Sequence, residues 1–183
     1  MKSFAPVLFI LAAALGGVSP LAAQQNRASP HETFSRVVDG NRVTIVYGRP
    51  YSKNPKGDDI RKIWGGLVPY GKVWRMGADE ATLLITQQPI MLGDATLPAG
   101  AYTLFALPNE AGPAKLIVSR QLGQWGLQYD AAQDFARIDL KQGPLEKTVD
   151  QFTIVIDKNP AGGGVLKLQW ENTQFSVPFT VKK

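Results

Sequence analysis

His31 is the only histidine in the chain, and histidine is the side chain that most readily moves protons near neutral pH. It could act as a general base in a hydrolase or an isomerase if Glu32, Asp79 or Glu80 oriented its ring. A histidine-zinc cluster needs more ligands than one histidine supplies, and there is no cysteine, so we expect no metal site. The alternative is a hydrogen-bonded or exposed histidine without a catalytic role.

Asp79 and Glu80 follow Arg75 closely and stand just before a predicted strand. Because successive strand residues point to opposite faces, we expect the two carboxylates on opposite sides and not as a glycosidase pair. Arg75 could bind a ligand carboxylate or phosphate in bidentate fashion. Alternatively, it could form a structural ion pair with Asp79.

Aromatic and arginine side chains concentrate in two irregular segments, residues 48–79 and the loop around residue 125. Long irregular segments in compact domains are usually functional or disordered, and the aromatic content argues against disorder. Tryptophans on loops could stack on sugar rings, or they could cap the ends of the core. The ligand-binding candidates are Arg49, Tyr51, Trp64, Tyr70, Trp74, Arg75 and Trp125.

The elements that must position these residues are predicted to be strands, because hydrophobic residues recur with a period of two. Val43, Ile45 and Tyr47 share one face, and the pattern is clearest at 152–156, 166–170 and 175–181. Turn residues separate these runs. The pattern predicts an all-β antiparallel sandwich of about eight to ten strands, with a partly closed barrel as the alternative.

Two local features qualify this interpretation. Residues 60–64 are compatible with one short helical turn. Pro178 lies inside the last predicted strand, and because proline lacks the N–H that a ladder needs, we expect that strand to be an edge there.

The first 23 residues have the layout of a secretory signal peptide, with Lys2, an apolar run and a small-residue end. The apolar run is about 12 residues, whereas a membrane-spanning helix needs about 20, so a retained anchor is the weaker alternative. We therefore expect an exported protein, periplasmic or secreted, with one β-rich domain at 24–183 and an ordered part at about 29–181. No later segment is apolar enough to span a membrane.

Charge and motif content exclude further classes of function. The formal net charge is +5, and no run reaches five Lys or Arg, so we expect no nucleic-acid partner. The glycines at 162–164 lack the Gly-Lys-Ser/Thr ending of a phosphate loop, and we expect no cofactor. Since the chain has no cysteine, its core must supply stability without disulfides.

An ordered set of short phrases resembles an exported bacterial family known as domain of unknown function 2911. The phrases include VYGRPY at 46–51, LVPYGKVWR at 67–75, GADEAT at 77–82 and LPAGAYTL at 97–104. The resemblance covers about residues 29–180. It implies secretion and one β-rich domain, and it implies no activity, so no functional residue is transferred.

We expect a non-enzymatic module that binds a ligand or partner at the cell envelope, with a carbohydrate as the first candidate. The partner could be a small molecule, a glycan or an envelope protein. The alternative is a hydrolase or isomerase that uses His31 with Asp79 or Glu80. A third possibility is strand addition at the exposed edge expected near Pro178.

Overall fold

The computed structural model describes residues 27–182, so the predicted signal peptide lies outside the described residues. The described chain forms nine strands. They are β1 (His31–Val38), β2 (Asn41–Gly48), β3 (Thr82–Thr86), β4 (Ile90–Leu92), β5 (Ala95–Leu97), β6 (Gly100–Leu107), β7 (Ala114–Ser119), β8 (Asp134–Lys158) and β9 (Gly164–Val181).

Helical structure in this range is limited to one 3-10 turn at Ala131–Gln133. Between residues 27 and 182 there is consequently no helix that could reach across a lipid bilayer. The helical turn predicted at 60–64 is wrong. Ile60 and Trp64 instead form isolated β-bridges with Lys53 and Val68.

The strands form one antiparallel sheet in the order β1-β2-β3-β6-β7-β8-β9-β4-β5. The 25-residue strand β8 links its two halves, since residues 134–140 pair with β7 and residues from 141 onward pair with β9. The sheet therefore folds into two facing layers, which confirms the predicted all-β sandwich. It stays open with β1 and β5 at its ends, so the barrel alternative is not formed.

The core lies between the two layers and follows the period of two seen in the sequence. On β2 the buried residues alternate with more exposed neighbours, and β8 and β9 show the same alternation. Tyr47 of β2 meets Phe152 of β8 edge to face, with ring centroids 5.8 Å apart. Burial of each large apolar side chain contributes roughly 1.5–3 kcal/mol.

The last strand is longer than the sequence pattern indicates, and its pairing changes along its length. The runs at 166–170 and 175–181 belong to one continuous strand, in which Glu171 takes a left-handed φ of 52° where the register with β8 shifts. In addition, β9 lies between β8 and β4, and the Pro178 carbonyl accepts a hydrogen bond from Gly93 N at 2.9 Å. The pairing of β9 with β8 ends at Ser176, so at Pro178 the strand is bonded on the β4 side alone, and the other side there has no ladder partner among the described residues.

The irregular segment 48–79 packs across one end of the sandwich. Ser52 N donates to Asp150 O at 2.7 Å, and Phe152 N donates to Pro50 O at 2.9 Å, so the segment is joined to β8. Ile63, Val68 and Met76 are fully buried against the core. This end of the fold carries the candidate site.

Candidate functional site

A polar cluster forms where β1 begins and where the chain enters β3. The backbone of residues 77–79 packs directly against the end of β2. This close approach requires glycine at position 48, because a Cβ there would collide with Ala78 O. His31 pairs with Gly48, so this approach brings His31 beside Asp79 and Glu80. His31 Nε2 lies 3.1 Å from Glu80 Oε2 and 3.7 Å from Asp79 Oδ2.

Asp79 and Glu80 line two different cavities, yet both carboxylates lie beside the ring of His31. Asp79 precedes β3 and takes a left-handed φ of 63°, so the alternation of an extended strand does not apply to it. Both carboxylates consequently reach the same ring nitrogen. The alternation argument did not allow for this, although aspartate adopts a left-handed φ more readily than most residues.

Arg27 completes the cluster, and the sequence-based reasoning missed it. Its two terminal nitrogens donate to the two carboxylate oxygens of Glu80, each at 2.6 Å, and Nη1 also lies 2.8 Å from His31 Nε2. These bonds lower the pKa of Glu80 and raise the pKa of Arg27. Arg27 belongs to a polar lead-in with no motif, so no local signal marked it.

A cleft of about 720 Å³ opens next to this cluster. Its lining combines aromatic rings with both signs of charge. The polar and aromatic lining residues are Ser29, Tyr51, Lys53, Asn54, Arg61, Trp74, Arg75, Asp79, Asp150 and Trp170. Tyr51, Trp74 and Arg75 are thus three predicted ligand-binding residues that the fold brings together, with Asp79 beside them.

Arg75 is half-buried in this cleft, and burial lowers the pKa of its guanidinium although the nearby Asp79 charge acts in the opposite direction. Within the described residues neither Arg75 Nε nor Asp79 Oδ2 has a hydrogen-bond partner. The structural Arg75–Asp79 ion pair considered from the sequence is therefore not formed. A desolvated guanidinium without a partner is well suited to bind a polar ligand.

The tryptophans divide between the core and the surface. Trp64 and Trp74 pack edge to face, 5.9 Å apart, and Trp74 stacks on Trp170 at 5.8 Å. Both therefore cap the core, and of the two only Trp74 also lines the cleft. Trp125 is 43% exposed and, like Tyr70, lies outside the cleft lining.

Arg49 also lies outside the His31 cluster and the cleft lining. It forms an ion pair with Glu32 at 2.8 Å and donates to Phe152 O and Thr153 Oγ1 at 3.2 and 2.8 Å. These contacts join the end of β2 to β8. They give Arg49 a structural role that requires no ligand. Between residues 27 and 182, no group of three or more His, Asp or Glu side chains is arranged to hold a metal ion.

The fold and its site define an open antiparallel β-sandwich with a mixed aromatic and charged cleft at one end. The chain belongs to the family described as protein of unknown function (DUF2911), whose model matches residues 29–179. No curated protein and no solved structure matches the chain.

Proposed function

We propose that the protein is a non-enzymatic binding module, exported to the cell envelope, whose cleft holds a carbohydrate. The observation that carries this proposal is the combination of accessible aromatic rings with an unpartnered, half-buried guanidinium in a cleft of about 720 Å³. A volume of roughly 300–1,000 Å³ is typical of small-molecule sites.

Sugar chemistry fits this lining in two ways. The apolar C–H face of a sugar ring packs on an aromatic ring, and Tyr51 and Trp74 are available for such packing. A hydroxyl group both accepts and donates hydrogen bonds, so it can accept from Arg75 and donate to the neighbouring Asp79. Asp150 and Arg61 extend the same mixed polar lining.

The test is calorimetric titration of the purified protein with a panel of neutral and acidic oligosaccharides. We expect one saccharide class to bind, and we expect Tyr51→Ala and Arg75→Gln each to weaken binding about tenfold or more. Tyr70→Ala and Arg36→Gln are matched controls outside the cleft and should bind normally. Absence of saccharide binding, or binding that both cleft variants retain, overturns the proposal.

A second candidate function is hydrolysis or isomerisation with His31 as general base. It is favoured by the 3.1 Å contact between His31 Nε2 and Glu80 Oε2, which is within proton-transfer reach. Turnover of chromogenic glycosides or esters that falls about 100-fold or more in His31→Ala would support it. Turnover that His31→Ala leaves unchanged, or no turnover of any substrate, contradicts it.

Export is tested separately from binding. Expression of the full chain followed by cell fractionation should place the protein outside the cytoplasm, with a mature N-terminus at Gln24 as the signal-peptide layout predicts. Recovery of the uncleaved chain in the cytoplasm contradicts this part of the proposal alone.

A further inference from the structure

A second cavity, of about 360 Å³, lies on the outer face of β2, β3 and β6. Val46, Ala81 and Leu83 give it an apolar floor, while Arg27 and Glu80 stand at its polar end. Because Asp79 lines the cleft and Glu80 lines this cavity, the His31 cluster stands between the two. The cleft proposal makes no use of this second cavity.

The polar end of this cavity is already occupied by a planar cation of the chain itself, the guanidinium of Arg27. Both terminal nitrogens of Arg27 are bound by Glu80 at 2.6 Å, and His31 Nε2 lies 2.8 Å from one of them. The Arg27 and Glu80 side chains remain 41% and 44% exposed. Ion pairs this accessible to water contribute little to stability, so an external cation can compete with Arg27.

Gln124 supplies a second, independent indication of a ligand. It lines the same cavity and is only 6% exposed, yet neither its side-chain oxygen nor its nitrogen has a hydrogen-bond partner. Buried amides are nearly always paired, because leaving them unpaired is costly. The Gln124 amide is thus a polar group at the cavity wall that the described residues leave without a partner.

We propose that Glu80, His31 and Gln124 form a binding site for a small organic cation, a guanidinium or amidinium group carried on an apolar body. Arg27 occupies the polar end of this site as an internal ligand. The bidentate geometry at Glu80 selects a planar cation over a compact ammonium, because two parallel N–H groups match two carboxylate oxygens. The apolar body lies on Val46 and Leu83.

The test uses benzamidine as the probe and its uncharged relative benzamide as the control. Calorimetric titration should show that Arg27→Gln binds benzamidine about three- to tenfold more tightly than the unmodified protein, since the internal competitor is gone. Arg27→Gln combined with Glu80→Gln should lose that binding. Arg36→Gln, which changes an exposed arginine on β1, should behave like the unmodified protein.

Methyl NMR signals of Val46 and Leu83 should shift on benzamidine addition, and thermal unfolding should show that each variant is folded. The proposal is overturned if Arg27→Gln binds benzamidine no more tightly, if loss of Glu80 leaves binding intact, or if benzamide binds equally well. Tyr51→Ala should leave benzamidine binding unchanged, so failure of the cleft proposal and failure of this one are distinguishable.

Discussion

Arg27 and Glu80 are 53 residues apart in the chain, yet the guanidinium of one binds both carboxylate oxygens of the other at 2.6 Å. The contact joins the segment that precedes β1 to the entry of β3. It places the Arg27 cation beside His31, in the cluster that stands between the two cavities.

Arg27→Gln should raise the pKa of Glu80 towards its ordinary value of 4.5, because the Arg27 hydrogen bond is the largest cause of the lowered pKa. A carboxyl whose folded-state pKa is lowered stabilises the protein above its unfolded pKa, and this contribution disappears as the pH falls through the folded value. The variant should therefore lose less stability on acidification. Carboxyl NMR titration of Glu80 measures the pKa directly, and an unchanged value contradicts the prediction.

Tyr47→Phe should destabilise the protein at neutral pH by about 1–3 kcal/mol, because the buried Ile154 N–H loses its acceptor. Burial also raises the pKa of Tyr47 to about 12 from 10.0. Since the folded-state value is the higher one, this tyrosine's contribution is complete below pH 10.0 and is lost as the pH rises towards 12.

Urea unfolding across this alkaline range measures both effects of Tyr47→Phe. The substitution should remove part of the alkaline loss of stability. The exposed Tyr51→Phe is the matched control and should retain it. An alkaline slope that is the same in Tyr47→Phe and the unmodified protein argues against the assignment.

Gly126→Ala should destabilise the protein by about 1–3 kcal/mol, because the new Cβ collides with Arg75 and lies 2.7 Å from Asp79 O. The collision should also displace Arg75 and weaken ligand binding in the cleft. Gly143→Ala is the control, since a Cβ there meets nothing within 4 Å. Chemical denaturation of both variants checks the prediction, and equal stabilities would contradict it.

Trp74→Ala should cost about 3 kcal/mol or more, because it removes contacts with Phe152 and Trp170 as well as one wall of the cleft. Tyr51→Ala should change stability by less than about 1 kcal/mol, since Tyr51 is 41% exposed and lies outside the core. Urea unfolding separates the two. A Trp74→Ala variant as stable as Tyr51→Ala would show that Trp74 does not cap the core.

The strands were predictable because alternation is a local property of the chain. Val43, Ile45 and Tyr47 alternate in the sequence, and all three are buried on β2. The continuity of β8 was not predictable, because the first part of the strand pairs with β7 and the rest pairs with β9. Its own sequence does not indicate these partners. The helical turn at 60–64 failed for the same reason, since Ile60 and Trp64 are paired by bridges to other residues.

The site was predictable in its residue types and only partly in its arrangement. Composition by itself limited any catalytic scheme to carboxylates, arginines and one imidazole, and the family phrases together with the strand period determined the fold class. Tertiary structure decided that Asp79 and Glu80 both reach His31, that Arg27 joins them, and that Arg75 is left without a partner. The reason is that local periodicity follows from the backbone geometry of each strand, whereas contacts between distant residues depend on how the sheet folds over and where the backbone turns left-handed.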